Sequence, residues 1–228
     1  MFGKKQQSGK TPHQKKAAKP AKRSRVDARS RRTRDALGDA LISLMQQQPF
    51  EQITVQHVLD RAGVGRATFY AHYSDKNDLF LSDADEFWAS MASYLSRNSE
   101  QSMRVAPVRE LFIHIAGARS FRASLQQSGK LHEIMQLGIG NFARGIEQRL
   151  LQVRPAEFGS ALRRQAFAHS MAGALFSMLE WWLDRAMPET PEQMDCIYHE
   201  LVWSGAAAAA RHVPSAQRDV KPANSGKR

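Results

Sequence analysis

The stretch from Ile53 to Leu79, ITVQHVLDRAGVGRATFYAHYSDKNDL, restricts the possible folds of this chain more than any other. Thr54 suits an N-cap, and Val55, Val58, Leu59 and Ala62 follow at i, i+3, i+4 and i+7, which places four apolar side chains on one helical face. Gly63-Val64-Gly65 then interrupts the pattern, the first glycine fitting a left-handed residue just past a helix end. The segment RATFYAHY resumes a helical spacing, with Phe69 and Tyr73 on one side and Arg66, Thr68, Tyr70 and His72 spread over the others. Ser74 or Asp75 stops this element and caps the next. Two short helices joined by a tight glycine turn form a helix-turn-helix, whose second helix enters a DNA major groove.

The charge distribution points the same way. The net charge is +11, yet residues 1–34 hold 13 Lys/Arg against the single acid Asp27, so the rest of the chain is close to neutral. KTPHQKKAAKPAKRSR has no apolar periodicity, and residues 1–28 are expected to form a disordered basic tail able to neutralise phosphates. A first helix is expected over about Ser30–Gln48, with Arg29, Arg31, Arg32 and Arg34 crowding a start that the helix dipole makes unfavourable for cations unless phosphates lie nearby. Phe50 and Ile53 should pack beneath the short helices.

Beyond the reader, a fourth helix is expected from Ser74 to about Arg97, then helices at Val108–Ala118, Ser120–Gln127, Lys130–Val153, from Ala156 or Ser160 to Ala186, and Glu192–His212. Pro155, Pro188 and Pro191 mark breaks. The expected fold is therefore all-α, with about nine helices. Its organisation is a helix-turn-helix domain over 29–74, a larger helical domain over 75–213 and a disordered tail over 214–228. Asp83, Asp85 and Glu86 read as a solvated helix face, and Cys196 as a small core residue of the last helix. The longest strongly apolar run, Met171–Leu183, contains Glu180 and is shorter than a membrane helix requires, and the N-terminus lacks the apolar block of a secretory signal. A cytoplasmic protein without membrane association is expected.

Residues 33–80, TRDALGDALISLMQQQPFEQITVQHVLDRAGVGRATFYAHYSDKNDLF, resemble the N-terminal domain of the tetracycline-repressor (TetR/AcrR) family of bacterial transcription regulators. The shared motifs are the ITV…VLDRAGV helix, the TFYxHY recognition helix and the DKxDL opening of the fourth helix. The family usually has Ser where this chain has Gly65. The resemblance implies a nucleoid-associated homodimer that binds a double-stranded operator with inverted half-sites and needs no cofactor. Position by position, it implies that Arg66, Ala67, Thr68 and His72 face base edges and that Gln56 contacts bases or backbone. It also implies that Tyr70, Thr54 and Lys76 clamp phosphates. Side-chain chemistry agrees: Arg reads guanine bidentately, Thr and Ala methyls meet thymine, and hydroxyl and ammonium groups suit phosphate oxygens.

For the second half the family implies an effector pocket among helices four to eight, and the aromatic and Met-rich composition suits a small apolar or aromatic ligand. Trp88, Met91, Tyr94, His114, Phe142, His169 and Trp181 are the candidate lining, with Glu180 a further polar anchor. Family members dimerise through the last two helices, and Leu175, Leu179, Trp182, Leu201 and Val202, with the small run Gly205–Ala210, are the candidate interface. Catalytic motifs are lacking: no Gly-rich phosphate loop, no GxSxG elbow and no His/Cys cluster at metal-ligand spacing occurs. The expected function is a ligand-released transcriptional repressor. The competing classes are a constitutive architectural DNA-binding protein driven by the basic tail, and a helical enzyme.

Overall fold

The structure, a computed structural model, describes residues 20–154, 158 and 160–211. Side chains are described for residues 28–118, 121–154, 158 and 160–207. Most of the expected basic tail, Pro155 and the expected C-terminal tail lie outside the described residues. Among those described, all regular structure is helical: α1 (Pro20–Met45), a 3-10 turn (Phe50–Gln52), α2 (Val55–Ala62), α3 (Arg66–Tyr70), α4 (Lys76–Ala92), α5 (Tyr94–Arg97), α6 (Val108–Gly117), α7 (Arg119–Gln127), α8 (Leu131–Val153), α9 (Ala161–Asp184) and α10 (Pro191–Arg211). The all-α expectation holds.

Two boundaries differ instructively. The first helix begins at Pro20 rather than Ser30, because proline suits a first helical turn and the Ala/Lys/Arg-rich residues after it are good helix formers. Residues 20–28, expected within the disordered tail, are therefore helical backbone. The fourth helix is not continuous to Arg97: it ends at Ala92, and a short α5 follows. Ser93 explains the break, since its hydroxyl bonds back to the carbonyls of Ala89 (2.9 Å) and Ser90 (3.1 Å), competing with the helical ladder.

A single apolar core runs through the molecule. In the reader, Leu37, Leu41 and Met45 of α1 meet Val58, Leu59, Phe69 and Tyr73. Arg61 adds a polar link, reaching from α2 to Ser43 Oγ (2.6 Å) and Gln47 Oε1 (3.1 Å). In the larger half, α4, α8 and α9 pack around Trp88, Phe142 and Phe176, whose rings lie 5.2–6.1 Å apart in edge-on arrangements. Gly145 permits the closest approach there, because a Cβ at this position would come 2.8 Å from the Ala92 carbonyl oxygen. α10 is pinned to α6 by Arg104, which donates to Glu110 (2.6 Å) and Asp195 (2.7 Å) at once. Buried Arg149 gathers the intervening loop by donating to the carbonyls of Glu100, Ser102 and Arg104. No helix is long and apolar enough to cross a membrane among the described residues.

Candidate nucleic-acid interface and its neighbouring cavity

The helix-turn-helix is assembled by local chemistry. Thr54 caps α2 by accepting from the His57 N–H at 3.2 Å, while the His57 ring accepts from the Thr54 N–H at 3.4 Å, a reciprocal box built with histidine in place of the usual acid or amide. Gly63 closes α2 in the left-handed region at φ 64°, and its N–H returns to the Leu59 carbonyl. Gly65 is different: at φ −72° and ψ 148° it has ordinary extended geometry and leaves α3 without a side-chain cap. Phe69, fully buried, anchors α3 to the core.

With Phe69 turned inward, Arg66, Ala67, Thr68 and Tyr70 all stand exposed on the outer surface of α3. The Arg66 guanidinium lies 5.9 Å from the Tyr70 ring centroid, which holds the two side chains side by side. Gln56 is also exposed on α2, its amide bonded to Asp60 at 2.8 Å. His72 is half-buried and lies beyond the end of α3. Tyr73 is buried against Phe69, as its core spacing predicts.

Lys76 is placed otherwise than the resemblance implies. Its ammonium turns inward and donates to the carbonyl oxygens of Phe50 (2.6 Å), Glu51 (3.2 Å) and Ile53 (2.6 Å), so its three donors cap the 3-10 turn instead of facing outward to a phosphate. Burial lowers its pKa. The first N–H groups of α4 are equally occupied, since Asp75 accepts from Asn77 (2.7 Å) and Asp78 (2.8 Å). In return Asp78 accepts from the Ser74 N–H and hydroxyl, and these hydrogen bonds hold its carboxyl below the usual range.

A cavity of about 660 Å³ lies directly behind this reader, within the size range of small-molecule sites. Of the expected lining, Trp88 and His114 face it, as does Glu180, whereas Met91, Tyr94, Phe142, His169 and Trp181 do not. Phe142 is wholly within the core, and Tyr94, His169 and Trp181 are exposed on the outer surface. The apolar wall is made by Phe80, Phe87, Phe121 and Leu125 with Trp88, and the Phe87 ring lies 4.8 Å from that of His114. Sequence reasoning did not foresee the opposite wall, which α1 supplies through Arg34, Asp35, Leu41 and Ile42. Nor did it foresee Asp83. Expected on a solvated face, this residue sits between α4 and the α1 backbone, so close to Gly38 that a Cβ there would collide with its carboxylate. Burial first, and the neighbouring Asp39, Glu86 and Asp35 carboxylates next, push its carboxyl up to about 6.

The expected dimer residues also need revision. Leu175, Leu179, Trp182 and Val202 are each no more than 2% exposed and belong to the protomer's own core, with Leu179 lining the cavity. Trp182 further fixes the α9–α10 loop, its indole donating to the Glu189 carbonyl at 2.8 Å. Leu201, 61% exposed, remains on the surface, as do Gly205 and Ala207 of the small run, and it is accompanied by Leu162 (77%), Trp181 (45%) and Ile197 (41%) on α9 and α10. Cys196, expected in the core, is exposed on the same helix.

Residues 37–82 match the family described as bacterial regulatory proteins, tetR family. An uncharacterized HTH-type transcriptional regulator of Bacillus subtilis (strain 168), YxbF, is 30% identical over 76 residues, 33% of this chain, and the chain spans a fifth of that relative's length (20%). Among solved structures, a TetR transcriptional regulator from Streptococcus agalactiae 2603V aligns at TM-score 0.51 and 23% identity, over 79% of this chain and 98% of that one. The dihydroxyacetone kinase operon activator DhaS aligns at TM-score 0.57 and 14% identity, over 77% and 97% of the two chains. At these identities both speak for the fold.

Proposed function

We propose that the chain, whose residues 37–82 match the tetR family of bacterial regulatory proteins, is a DNA-binding transcriptional regulator that acts as a homodimeric repressor of an operator with inverted half-sites. A small molecule entering the cavity behind the reader releases it. The observation carrying this reading is α3, where buried Phe69 anchors the helix and leaves Arg66, Ala67, Thr68 and Tyr70 exposed together on the outside. Arg66 is assigned to guanine, Ala67 and Thr68 to thymine methyls, and Tyr70 with Thr54 to phosphates. Gln56 and half-buried His72 flank that surface. Lys76 acts instead by holding the 3-10 turn in place.

The dimer is assigned to the exposed apolar surface of α9 and α10, where Leu162, Trp181, Ile197 and Leu201 stand out. The cavity supports the effector reading because its walls belong both to the reader's own α1 and to α4, α6, α7, α8 and α9. An occupant would therefore touch the element whose position sets the reader. Sequencing the fragments that the purified protein selects from a random DNA pool tests the reading. A palindromic consensus with half-sites about one helical turn apart is expected. An unstructured, salt-sensitive preference without consensus would sink it. In the same assay Arg66→Ala should cost about 1–3 kcal/mol at one base position of each half-site.

A further inference from the structure

We propose that the cavity's occupant is an uncharged molecule with an apolar body, held across the two halves of the protein by an oxygen acceptor that takes the Nε–H of Arg34 on the reader's α1 and the indole N–H of Trp88 on α4. The inference rests on the effector reading of this cavity and adds which residues hold the occupant and what class of molecule satisfies them.

Among the described residues, the buried side-chain nitrogens without a hydrogen-bond partner are Arg34 Nε and Trp88 Nε1, and both residues line this one cavity. Buried donors are normally satisfied. Trp88 is 2% exposed, and its ring is gripped edge-on by Phe142 and Phe176. Gly138 of α8 is so near that a Cβ there would lie 3.1 Å from Trp88 Cε2, beside the nitrogen. The indole is therefore not free to seek a partner elsewhere. Arg34 reaches toward α4 from the opposite wall, but its Nη1 stands 3.8 Å from Glu86, beyond hydrogen-bond length.

A guanidinium and an indole N–H offer hydrogens and no lone pair, so these walls select an acceptor. A carbonyl-type oxygen carries two lone pairs and can take both N–H groups. Charge disfavours an anion in that role. The lining holds the carboxylates of Asp35, Asp83, Glu86 and Glu180 against the guanidiniums of Arg34 and Arg122, and Arg122 already donates to Asp184 at 2.8 Å. A carboxylate or phosphate entering there would add to an excess of like charge away from bulk water. Because Arg34 belongs to the reader's first helix and Trp88 to α4, such an occupant joins the two elements directly.

Equilibrium dialysis of the full-length protein against benzophenone, diphenylmethane and diphenylacetate tests this, since the three share a pair of phenyl rings and differ in carrying a ketone oxygen, no acceptor or a carboxylate. Benzophenone is expected to bind about tenfold more tightly than either of the others. Trp88→Phe and Arg34→Met should each weaken benzophenone about fivefold and leave diphenylmethane unchanged. Circular dichroism checks that both variants fold, and Arg34→Met, at a partly exposed position, keeps the test decisive where Trp88→Phe loosens the core. Equal affinity for benzophenone and diphenylmethane, or tighter binding of diphenylacetate, overturns the proposal. Benzophenone affinity indifferent to Arg34→Met overturns the bridge to α1. Ketone-selective binding that both variants weaken, with operator affinity unaltered by benzophenone, supports the site and sinks the effector reading. Operator release by benzophenone and diphenylmethane alike does the reverse.

Discussion

Lys76 Nζ donates to the Phe50 carbonyl oxygen at 2.6 Å, tying the first turn of α4 to the 3-10 turn that precedes α2. A residue that a family pattern makes a phosphate clamp is here a bracket between two parts of the reader. Lys76→Met should therefore cost about 1–3 kcal/mol of stability by leaving carbonyls short of a donor. The salt dependence of operator binding should keep its slope, whereas loss of a phosphate contact would lower it by about 1. Denaturant melts together with binding at several salt concentrations separate the two roles.

Gly65 offers the opposite case. Its φ of −72° suits any L-residue, and an added Cβ would have no atom within 4 Å. Gly65→Ser should stabilise by roughly 0.5–1 kcal/mol, by narrowing the unfolded ensemble and supplying the N-cap oxygen that α3 lacks. An unchanged or lowered Tm would count against this account of α3.

Asp83 makes stability depend on pH in a sense opposite to most carboxylates. Its folded carboxyl titrates at about 6 against 3.8 when free, so the fold binds the proton more tightly than the unfolded chain does. Stability from this group is present below about pH 4 and is lost as pH rises through about 6. Asp83→Asn should raise stability at pH 7.5 by about 1 kcal/mol, the carboxylate being partly exposed, or about 2–4 °C in Tm for a chain of this size. At pH 5 the gap between variant and parent should narrow. A gap that widened on acidification would refute the assignment.

Adjacent residues of α10 should fail in different ways. Leu201 is 61% exposed and Val202 is fully buried. Leu201→Glu is expected to convert dimer to monomer in light scattering with the helical signal intact. Val202→Ala is expected to keep the dimer and cost about 2 kcal/mol through a core cavity.

The reader was legible in the sequence because its instructions are local. Thr54 finds its partner three residues on, Gly63 ends α2 where the apolar spacing stops, and Phe69 and Tyr73 repeat at one turn. Lys76 was misplaced because its partners lie 23 to 26 positions away, a distance that periodicity does not encode. In α9 and α10 both surfaces carry apolar residues, so spacing alone does not say which side meets the protomer's core. Leu175, Trp182 and Val202 accordingly proved internal, while Leu162 and Ile197 proved external. Asp83 escaped for a related reason: its neighbours Asp85 and Glu86 are exposed, and only the approach of α1 at Gly38 separates its surroundings from theirs.

The early end of α4 at Ala92 sets a mechanical ratio. Ala92 abuts Gly145 of α8 and supplies a fixed point, Phe87 and Trp88 meet the cavity about 7 Å along the axis from it, and Lys76 lies about 24 Å away at the other end. A rigid tilt about that point would multiply a displacement at Phe87 roughly threefold at Lys76, and one at Phe80, which lines the same cavity about 18 Å from Ala92, by little more than one. A shift of about 1 Å at Phe87 would thus become about 3 Å at Lys76, close to the roughly 3.4 Å rise of one base step. A helix unbroken to Arg97 would have its far end farther from the cavity, and the same push would move the reader less.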